Sequence, residues 1–329
     1  MVFHLAIKIP AKFAEFEESM GISMTIQEKQ ELIKQLKKEK DAVLLAHYYV
    51  CPEVQEVADY IGDSFFLSKK AVSLTNKTIV FCGVAFMGES AKLLNPDKTV
   101  LMPDETADCY MAHMISKEVV DKARAEYDDL AVVCYINSTA ETKSWSDVCV
   151  TSANAVKIVK NLPNKNILFI PDRNLAHHVA LQTPDKNFIY NEGFCPVHEF
   201  MSAEELLELK KEHKDAPVLV HPECNAEIIK IADYIGSTSG IIEYAKSSDK
   251  NEFIIGTEIG VEFALKNARP DAEFYFPKTV PTCRNMKKVS LDKIIDVLQT
   301  GKNAVEMNEP QRDEKAKQTL TRMLEIAAK

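Results

Sequence analysis

The strongest constraint on how this chain can fold is an internal repeat. The segment ADYIG occurs at residues 58–62 and again at residues 232–236, and 11 residues before each copy a histidine ends an apolar run, His47 and His221. A weaker third copy lies between them, with Tyr135 in the position of the histidine. These three positions are 88 and 86 residues apart, which indicates three copies of one unit.

Each unit alternates short apolar strands with helices. In the first unit the strands are AVLLAH, DYIG, TIVFCG and TVLMPD, and helical stretches such as PEVQEVA and MGESAKLL separate them. Apolar runs that alternate with helices indicate a parallel sheet covered on both faces. We therefore predict an α/β protein of three similar, Rossmann-like domains around a pseudo-threefold axis. The predicted boundaries are an N-terminal extension at 1–24, repeats at 25–112, 113–198 and 199–286, and C-terminal helices at 287–329.

Polar side chains stand where the first strand of each unit ends. His47, Tyr135 and His221 occupy these ends, and ligands of parallel sheets bind outside the carboxyl ends of the strands. A hydroxyl follows each of them 17 residues later, in Ser64, Ser152 and Thr238. We expect these hydroxyls to open the next helices, whose N-termini attract anions. Each hydroxyl considered alone is best explained as a helix cap. Because all three occur at the same position of the repeat, we favour a shared site for an anionic ligand.

Three of the eight cysteines share a phase with the repeat, which means that they occupy equivalent positions in its three copies. Cys109, Cys195 and Cys283 follow the first-strand ends by 62, 60 and 62 residues, each just beyond a fourth strand. If the units surround one axis, these three thiols converge. Three thiolates without a fourth fit a zinc ion with an open position or a 4Fe–4S cluster with one free iron, and the spacing does not separate these two. The alternative is that the three cysteines are ordinary core residues whose common phase is a coincidence.

Composition excludes two classes of partner. With 40 Lys+Arg against 49 Asp+Glu, the net charge of −9 disfavours nucleic-acid binding. No apolar run approaches the roughly 18 residues of a membrane span, and MVFHLAIKIP is not a convincing export signal. We therefore expect a cytoplasmic protein with no nucleic-acid or membrane partner.

Ten sequence blocks, in order along the chain, are similar to those of one enzyme family. They are AHYYVCPEVQEVADYIGDS, PDETADCYMA, YINSTAETK, SDVCVTSANA, PDRNLA, GFCPVHEF, VHPEC, ADYIGSTS, IIGTEIG and CRNMKK. On these blocks the chain resembles the quinolinate synthases from about residue 25 to its C-terminus. The resemblance implies three α/β domains and a 4Fe–4S cluster held by three cysteines, which match Cys109, Cys195 and Cys283.

The activity implied by the resemblance is a step of NAD biosynthesis. Iminoaspartate condenses with dihydroxyacetone phosphate to give quinolinate, phosphate and water, with the open iron as a Lewis acid. Both substrates are anions, in keeping with a site built at helix N-termini. A functional link to an enzyme that produces iminoaspartate is also implied.

The matching positions supply candidate catalytic and binding residues. Glu223 is the expected general base and Tyr49 the expected proton donor or orienting group, with His47 close to the reaction. The expected substrate-binding residues are His47, Ser64, Tyr135, Asn137, Ser152, His221, Glu223 and Thr238. His198 is a weaker candidate, and the roles of Arg173 and Lys287 stay open.

Two readings from other classes compete with the synthase. One is a zinc-dependent aldolase or hydrolase that uses the same three thiols. The other is a non-catalytic iron–sulfur sensor or scaffold.

Overall fold

The computed structural model describes residues 24–328, so the N-terminal extension predicted at 1–24 lies outside the described residues except for Met24. Helix α1 (Ile26–Glu39) begins after Thr25, whose hydroxyl accepts a hydrogen bond from the N–H of Glu28 while the Glu28 carboxylate accepts one from the N–H of Thr25. This reciprocal pair satisfies two N–H groups that the first helical turn leaves without partners. The helix packs with Ile33 and Leu36 buried and leads directly into the first sheet.

The strands form three four-stranded sheets with the same topology, as the repeat predicts. The first sheet has the order β2-β1-β3-β4, and the equivalent strands of the other two follow the same order, β6-β5-β7-β8 and β10-β9-β11-β12. All strand pairs are parallel. The strands are β1 (Ala42–His47), β2 (Tyr60–Gly62), β3 (Thr78–Cys82), β4 (Thr99–Leu101), β5 (Leu130–Tyr135), β6 (Val148–Val150), β7 (Asn166–Ile170), β8 (Asn187–Tyr190), β9 (Val218–Val220), β10 (Tyr234–Ile235), β11 (Glu252–Gly256) and β12 (Glu273–Tyr275).

Helices follow most of the strands and cover the sheets. They are α2 (Pro52–Val57), α3 (Ser64–Ser73), α4 (Ala85–Leu94), α5 (Lys117–Glu126), α6 (Ala140–Ser144), α7 (Ala155–Asn161), α8 (Arg173–Gln182), α9 (Pro196–Glu199), α10 (Ala203–Glu212), α11 (Ala226–Ile231), α12 (Thr238–Ser247), α13 (Val261–Ala268), α14 (Leu291–Thr300) and α15 (Pro310–Ala328), with 3₁₀ turns at Tyr110–His113 and Met286–Lys288. The prediction of three similar α/β domains is confirmed. No helix among residues 24–328 is long and apolar enough to cross a membrane.

The first strand of each unit lies in the interior, which explains why its sequence is a continuous apolar run. All six residues of β1, all six of β5 and all three of β9 are buried. Strands covered on both faces need apolar side chains in both directions. The cores of the first two units merge with α14 and α15 into one cluster, whereas the two faces of the third sheet carry separate clusters.

Two hydrogen bonds recur in all three units at opposite ends of the sheets. At the amino end, a carboxylate before the second strand accepts the N–H of a first-strand residue, in the pairs Asp59–Leu44, Asp147–Val132 and Asp233–Val218 at 2.7–2.8 Å. At the carboxyl end, an N–H just after the third strand binds a carbonyl two residues before a phased cysteine, in the pairs Ala85–Ala107, Arg173–Gly193 and Ile259–Pro281. The second bond brings each cysteine loop back to the carboxyl edge of its own sheet.

Candidate active site

A cavity of about 490 Å³ opens where the carboxyl ends of the three sheets meet. It is lined by residues of all three units. Every site residue predicted from the sequence is among them: His47, Tyr49, Ser64, Cys109, Tyr135, Asn137, Ser152, Cys195, His221, Glu223, Thr238 and Cys283. These residues therefore line one cavity, as the phase of the repeat predicts for a common site. Their position on the cavity does not assign a role to any of them.

The three phased cysteines reach the cavity wall on equivalent loops. Cys109, Cys195 and Cys283 follow β4, β8 and β12, and each is partly buried. The other five cysteines lie away from the cavity: Cys51, Cys82, Cys134, Cys149 and Cys224. Phase in the sequence therefore separates the cysteines that line the cavity from those that do not.

Burial disfavours the thiolate form at all three positions. It raises the pKa of Cys109 to about 12, and it also raises the pKa of Cys195 and of Cys283. Thiols in such surroundings stay protonated until a cation compensates the charge, and metal binding then releases the protons. The donor set fits a metal group that brings its own positive charge.

One group of side chains in the cavity already has the spacing of a metal site. The ligand atoms of Cys195, His198 and Glu223 lie within 4.8 Å of one another, and no other such group of three occurs in residues 24–328. The sulfurs of Cys109, Cys195 and Cys283 are not such a group, so they do not all lie within 4.8 Å of one another.

A buried carboxylate between two imidazoles is the most polar feature of the cavity. Glu223 Oε2 lies 2.8 Å from His198 Nδ1 and 3.3 Å from His221 Nδ1, and all three side chains are at most 4% exposed. Burial by itself raises the pKa of Glu223, but His221 and His198 outweigh it and hold that pKa below its usual range. Glu223 is therefore an ionised carboxylate, and its second oxygen, Oε1, has no protein partner.

A hydrogen-bonded chain extends from this carboxylate into the first unit. His198 Nδ1 faces Glu223 and its Nε2 lies 2.9 Å from Thr257 Oγ1, which is 2.9 Å from the hydroxyl of Tyr49. The Tyr49 hydroxyl is also 2.9 Å from Thr238 Oγ1. Burial raises the pKa of Tyr49 well above its ordinary value, so the phenol keeps its proton. Residues of all three units thus share one network.

The two histidines at the first-strand ends are neutral. Burial lowers the pKa of His47 to about 4 and also lowers the pKa of His221. His47 Nδ1 accepts a hydrogen bond from the N–H of Tyr49 at 3.2 Å, which places the ring proton on Nε2. His221 Nε2 lies 3.3 Å from Ser152 Oγ.

The phased hydroxyls are not helix caps. Asp63 and Ser237 cap α3 and α12, so Ser64 and Thr238 are the first helical residues, as expected. Ser152 differs from the expectation that it opens a helix: α7 begins only at Ala155, after Asn154, and Ser152 lies in the preceding turn. The reason is local, because Asn154 Oδ1 accepts the N–H of Thr151 and holds this turn outside the helix.

Several buried polar atoms on the cavity wall have no partner in the protein. They are Asp63 Oδ2, Asn137 Oδ1, Thr151 Oγ1 and Glu223 Oε1. Buried polar atoms without hydrogen bonds are costly and rare, so a cluster of them in one cavity indicates atoms reserved for a ligand.

Several polar residues of this site were not predicted from the sequence, and two of them could have been. Asp63, Thr151 and Glu258 line the cavity, and Asp172 and Glu258 bind the backbone of the cysteine loops. The last two occupy the same phase, 37 residues after Tyr135 and His221, where the first unit has Val84.

The three residues whose roles were left open fall in different places. His198 belongs to the cavity network described above. Lys287 Nζ binds Glu258 at 2.9 Å and the carbonyl of Tyr49 at 2.6 Å, so it braces the site from behind. Arg173 pairs with Glu199 at 2.6 Å and does not line the cavity.

Comparison with known proteins identifies the family. The family described as Quinolinate synthetase A protein matches residues 31–325. The quinolinate synthase of Fusobacterium nucleatum is 53% identical over 298 residues, covering 90% of this chain and 98% of the relative. The chain belongs to the quinolinate synthase family. The quinolinate synthase of Clostridioides difficile is 50% identical, covering 90% of this chain and 97% of the relative, and that of Caldicellulosiruptor saccharolyticus is 46% identical, covering 92% and 100%.

Membership of the quinolinate synthase family makes the chain an enzyme of NAD biosynthesis, as the sequence blocks implied. Iron–sulfur binding is a property of this family, and the group Cys195, His198 and Glu223 has the spacing of a possible metal site.

Proposed function

We propose that this quinolinate synthase condenses iminoaspartate with dihydroxyacetone phosphate in the cavity between its three units, releasing phosphate and water. The observation that carries the proposal is the meeting, in one cavity, of three cysteines with the polar ends of all three first strands. An enzyme that produces iminoaspartate is the corresponding upstream partner.

Helix N-termini and hydroxyls would bind the anionic groups of the two substrates. Ser64 and Thr238 open α3 and α12, and the first N–H groups of a helix have no acceptor within it. Ser152 faces the same cavity from the second unit. Asn137, with a free Oδ1, and Tyr135 would complete the binding of substrate oxygens together with neutral His47 and His221.

Glu223 would act as general base. Its ionised carboxylate has one oxygen held by two imidazoles and the other, Oε1, free to accept a proton from a substrate. Tyr49 would donate or orient a proton, because its hydroxyl stays protonated and is fixed by Thr238 and Thr257.

Cys109, Cys195 and Cys283 would hold a 4Fe–4S cluster. When bound, the cluster supplies an iron without a protein ligand, which acts as a Lewis acid toward a substrate oxygen. One thiol from each unit fits a group placed where the units meet.

The deciding experiment is an oxygen-free assay of quinolinate formation from iminoaspartate and dihydroxyacetone phosphate, combined with iron and zinc analysis of the same sample. We expect quinolinate, four irons per chain and a broad absorption near 400 nm. A colourless protein with stoichiometric zinc would favour the aldolase or hydrolase instead. An iron-loaded protein that forms no quinolinate would favour the sensor.

Alanine at each proposed ligand tests the cysteine set separately from the reaction. Cys109→Ala, Cys195→Ala and Cys283→Ala should each lose the cluster. Cys51→Ala is the matched control, because Cys51 is also partly buried but lies outside the cavity. Loss of iron in the control, or retention of a full cluster in one of the three variants, contradicts the assignment.

A further inference from the structure

Two fully buried carboxylates hold the backbones of two of the phased cysteines. The N–H of Cys195 donates to Asp172 Oδ2 at 3.1 Å, and the N–H of Cys283 donates to Glu258 Oε1 at 3.0 Å. Both acidic residues are 0% exposed. Buried charged groups are rare in proteins unless a specific interaction holds them, so these two positions call for an explanation.

The two carboxylates are equivalent in the repeat. Each follows the third strand of its unit, β7 or β11, and the next residue donates its N–H to the cysteine loop. The side chain of the acidic residue and the N–H of its neighbour therefore bind the same loop at two points. The same arrangement occurs in two units, which makes a chance origin improbable and indicates a common role.

Each carboxylate is itself fixed on the side away from the cysteine. Asp172 Oδ1 accepts the N–H of Leu175 at 2.6 Å and caps α8. Glu258 Oε2 accepts the N–H of Gly260 at 2.7 Å, and Lys287 pairs with the carboxylate. Space for this pair depends on Gly260, since a Cβ there would lie 2.8 Å from both Glu258 Oε2 and Lys287 Nζ.

The first unit lacks this arrangement. Val84 occupies the equivalent position, and the N–H of Cys109 instead donates to its own neighbour Asp108 at 2.7 Å. The Asp108 side chain is 44% exposed and also pairs with His113. An exposed acceptor on the same loop cannot tie that loop to the sheet, so Cys109 is held less firmly than the other two cysteines.

We propose that Asp172 and Glu258 are positioning residues that fix the backbones of Cys195 and Cys283 for cluster binding. This inference rests on the ligand set of the proposed function. The carboxylates set the direction of each thiol before the metal arrives, and Cys109 is the adaptable third ligand. Groups that orient metal ligands typically change metal affinity about 10- to 100-fold when they are replaced.

The test compares D172N and E258Q with the unmodified holoenzyme. An amide has one acceptor oxygen, so each variant loses one of the two backbone bonds that its carboxylate makes. The measurement is the anaerobic rate of iron release to a ferrous chelator, together with the low-temperature EPR spectrum of the reduced cluster. We expect release about 10- to 100-fold faster in each variant, with an altered EPR line shape.

The matched controls remove the same kind of bond at the opposite edge of the sheets. Asp147 and Asp233 each accept one backbone N–H, of Val132 and of Val218, and alanine removes that acceptor. D147A and D233A should release iron at the wild-type rate even where they lower the melting temperature. If the controls release iron as fast as D172N and E258Q, general loosening of the fold explains the effect and the inference is wrong.

Two further outcomes separate the inference from the proposed function. If the unmodified chain holds a four-iron cluster and both variants retain it as firmly, the inference alone is wrong. If the unmodified chain binds no such cluster, the cysteine assignment is wrong and the inference falls with it. Because the two variants lie in different units, failure of one to fold leaves the other as a complete test.

Discussion

At the scale of single residues, the chemistry of the cavity centres on an ionised carboxylate in a buried place. Glu223 is 3% exposed, yet His198 and His221 both contact its Oε2 and stabilise the charge. The free Oε1 is then a fixed acceptor on the cavity wall. A buried carboxylate is seldom retained for stability alone.

Glu223→Gln should keep the cavity and lose the base. The amide has the same shape but cannot take up a proton, and the loss of general acid–base catalysis typically lowers kcat by about 10²–10⁴-fold. Steady-state kinetics without oxygen, with iron content measured in parallel, gives the result. Glu199→Gln is the control, because Glu199 is a partly buried carboxylate outside the cavity. A kcat within a factor of two of wild type would remove Glu223 from the role of base.

The neutral state of His47 predicts a pH dependence of stability. Its pKa of about 4 lies below the ordinary 6.5, so at intermediate pH the unfolded chain binds more protons than the folded one. The resulting stability is present above pH 6.5 and is lost as pH falls toward 4, with an upper bound of about 3 kcal/mol.

Denaturant titrations of the metal-free protein between pH 7 and pH 4.5 measure this loss. His47→Asn should flatten the decline in the free energy of unfolding, because the neutral amide takes up no proton. His113→Asn, in which an exposed ring is replaced, should follow the wild-type curve. Equal slopes in wild type and His47→Asn would contradict the prediction.

At the scale of elements, the C-terminal helix α15 ties the first two units together. It contacts α4 of the first unit and α6, β6 and α7 of the second. Ala316, Leu320 and Met323 are fully buried on its inner face. The helix therefore belongs to the shared core, although it lies outside the three repeats.

Leu320→Ala should destabilise the protein by about 2–5 kcal/mol, since a fully buried leucine leaves a cavity when it is truncated. The measurement is the denaturant midpoint at pH 7.5, with the slope of the unfolding transition compared between the variant and the wild type. Gln318→Ala, at an exposed position of the same helix, should change the free energy of unfolding by less than about 0.5 kcal/mol. A similar small change for Leu320→Ala would show that α15 does not contribute to the core.

At the scale of the whole molecule, the site exists only because three units share it. No single unit contains more than one of the phased cysteines, and the hydrogen-bonded chain from Tyr49 to Glu223 crosses all three. The first two units share one large apolar core and the third sheet has two of its own, and most residues of these cores lie outside the cavity. Fold stability and cluster binding are therefore separable.

Removal of the cluster should leave the protein folded. The expected result is an unchanged far-ultraviolet circular dichroism spectrum and a cooperative thermal transition, shifted downward because a ligand that binds only the native state stabilises it. Calorimetry of the holoenzyme and of the chelated, metal-free protein provides the comparison. Unfolding on metal removal, as in a small zinc domain, would contradict this separation.

Much of this architecture was predictable because the repeat encodes it directly. The alternation of strands and helices in three units, the strand-end positions of His47, Tyr135 and His221, and the choice of three cysteines among eight all follow from periodicity in one dimension. Residues at equal phase must occupy equivalent places if the units fold alike. The helix start near Ser152 failed this rule because a local bond from Asn154 overrides the repeat.

The sequence by itself determined the three sheets, the edge at which the site lies and many of the residues that reach it. Only the tertiary structure decided which of them touch: that His198 and His221 share one oxygen of Glu223, that Tyr49 binds Thr257, and that Asp172 lies behind Cys195. The reason is physical. Periodicity fixes positions within a unit, whereas contacts between units, and the pKa values that burial and neighbours impose, depend on how three separate sheets are packed against one another.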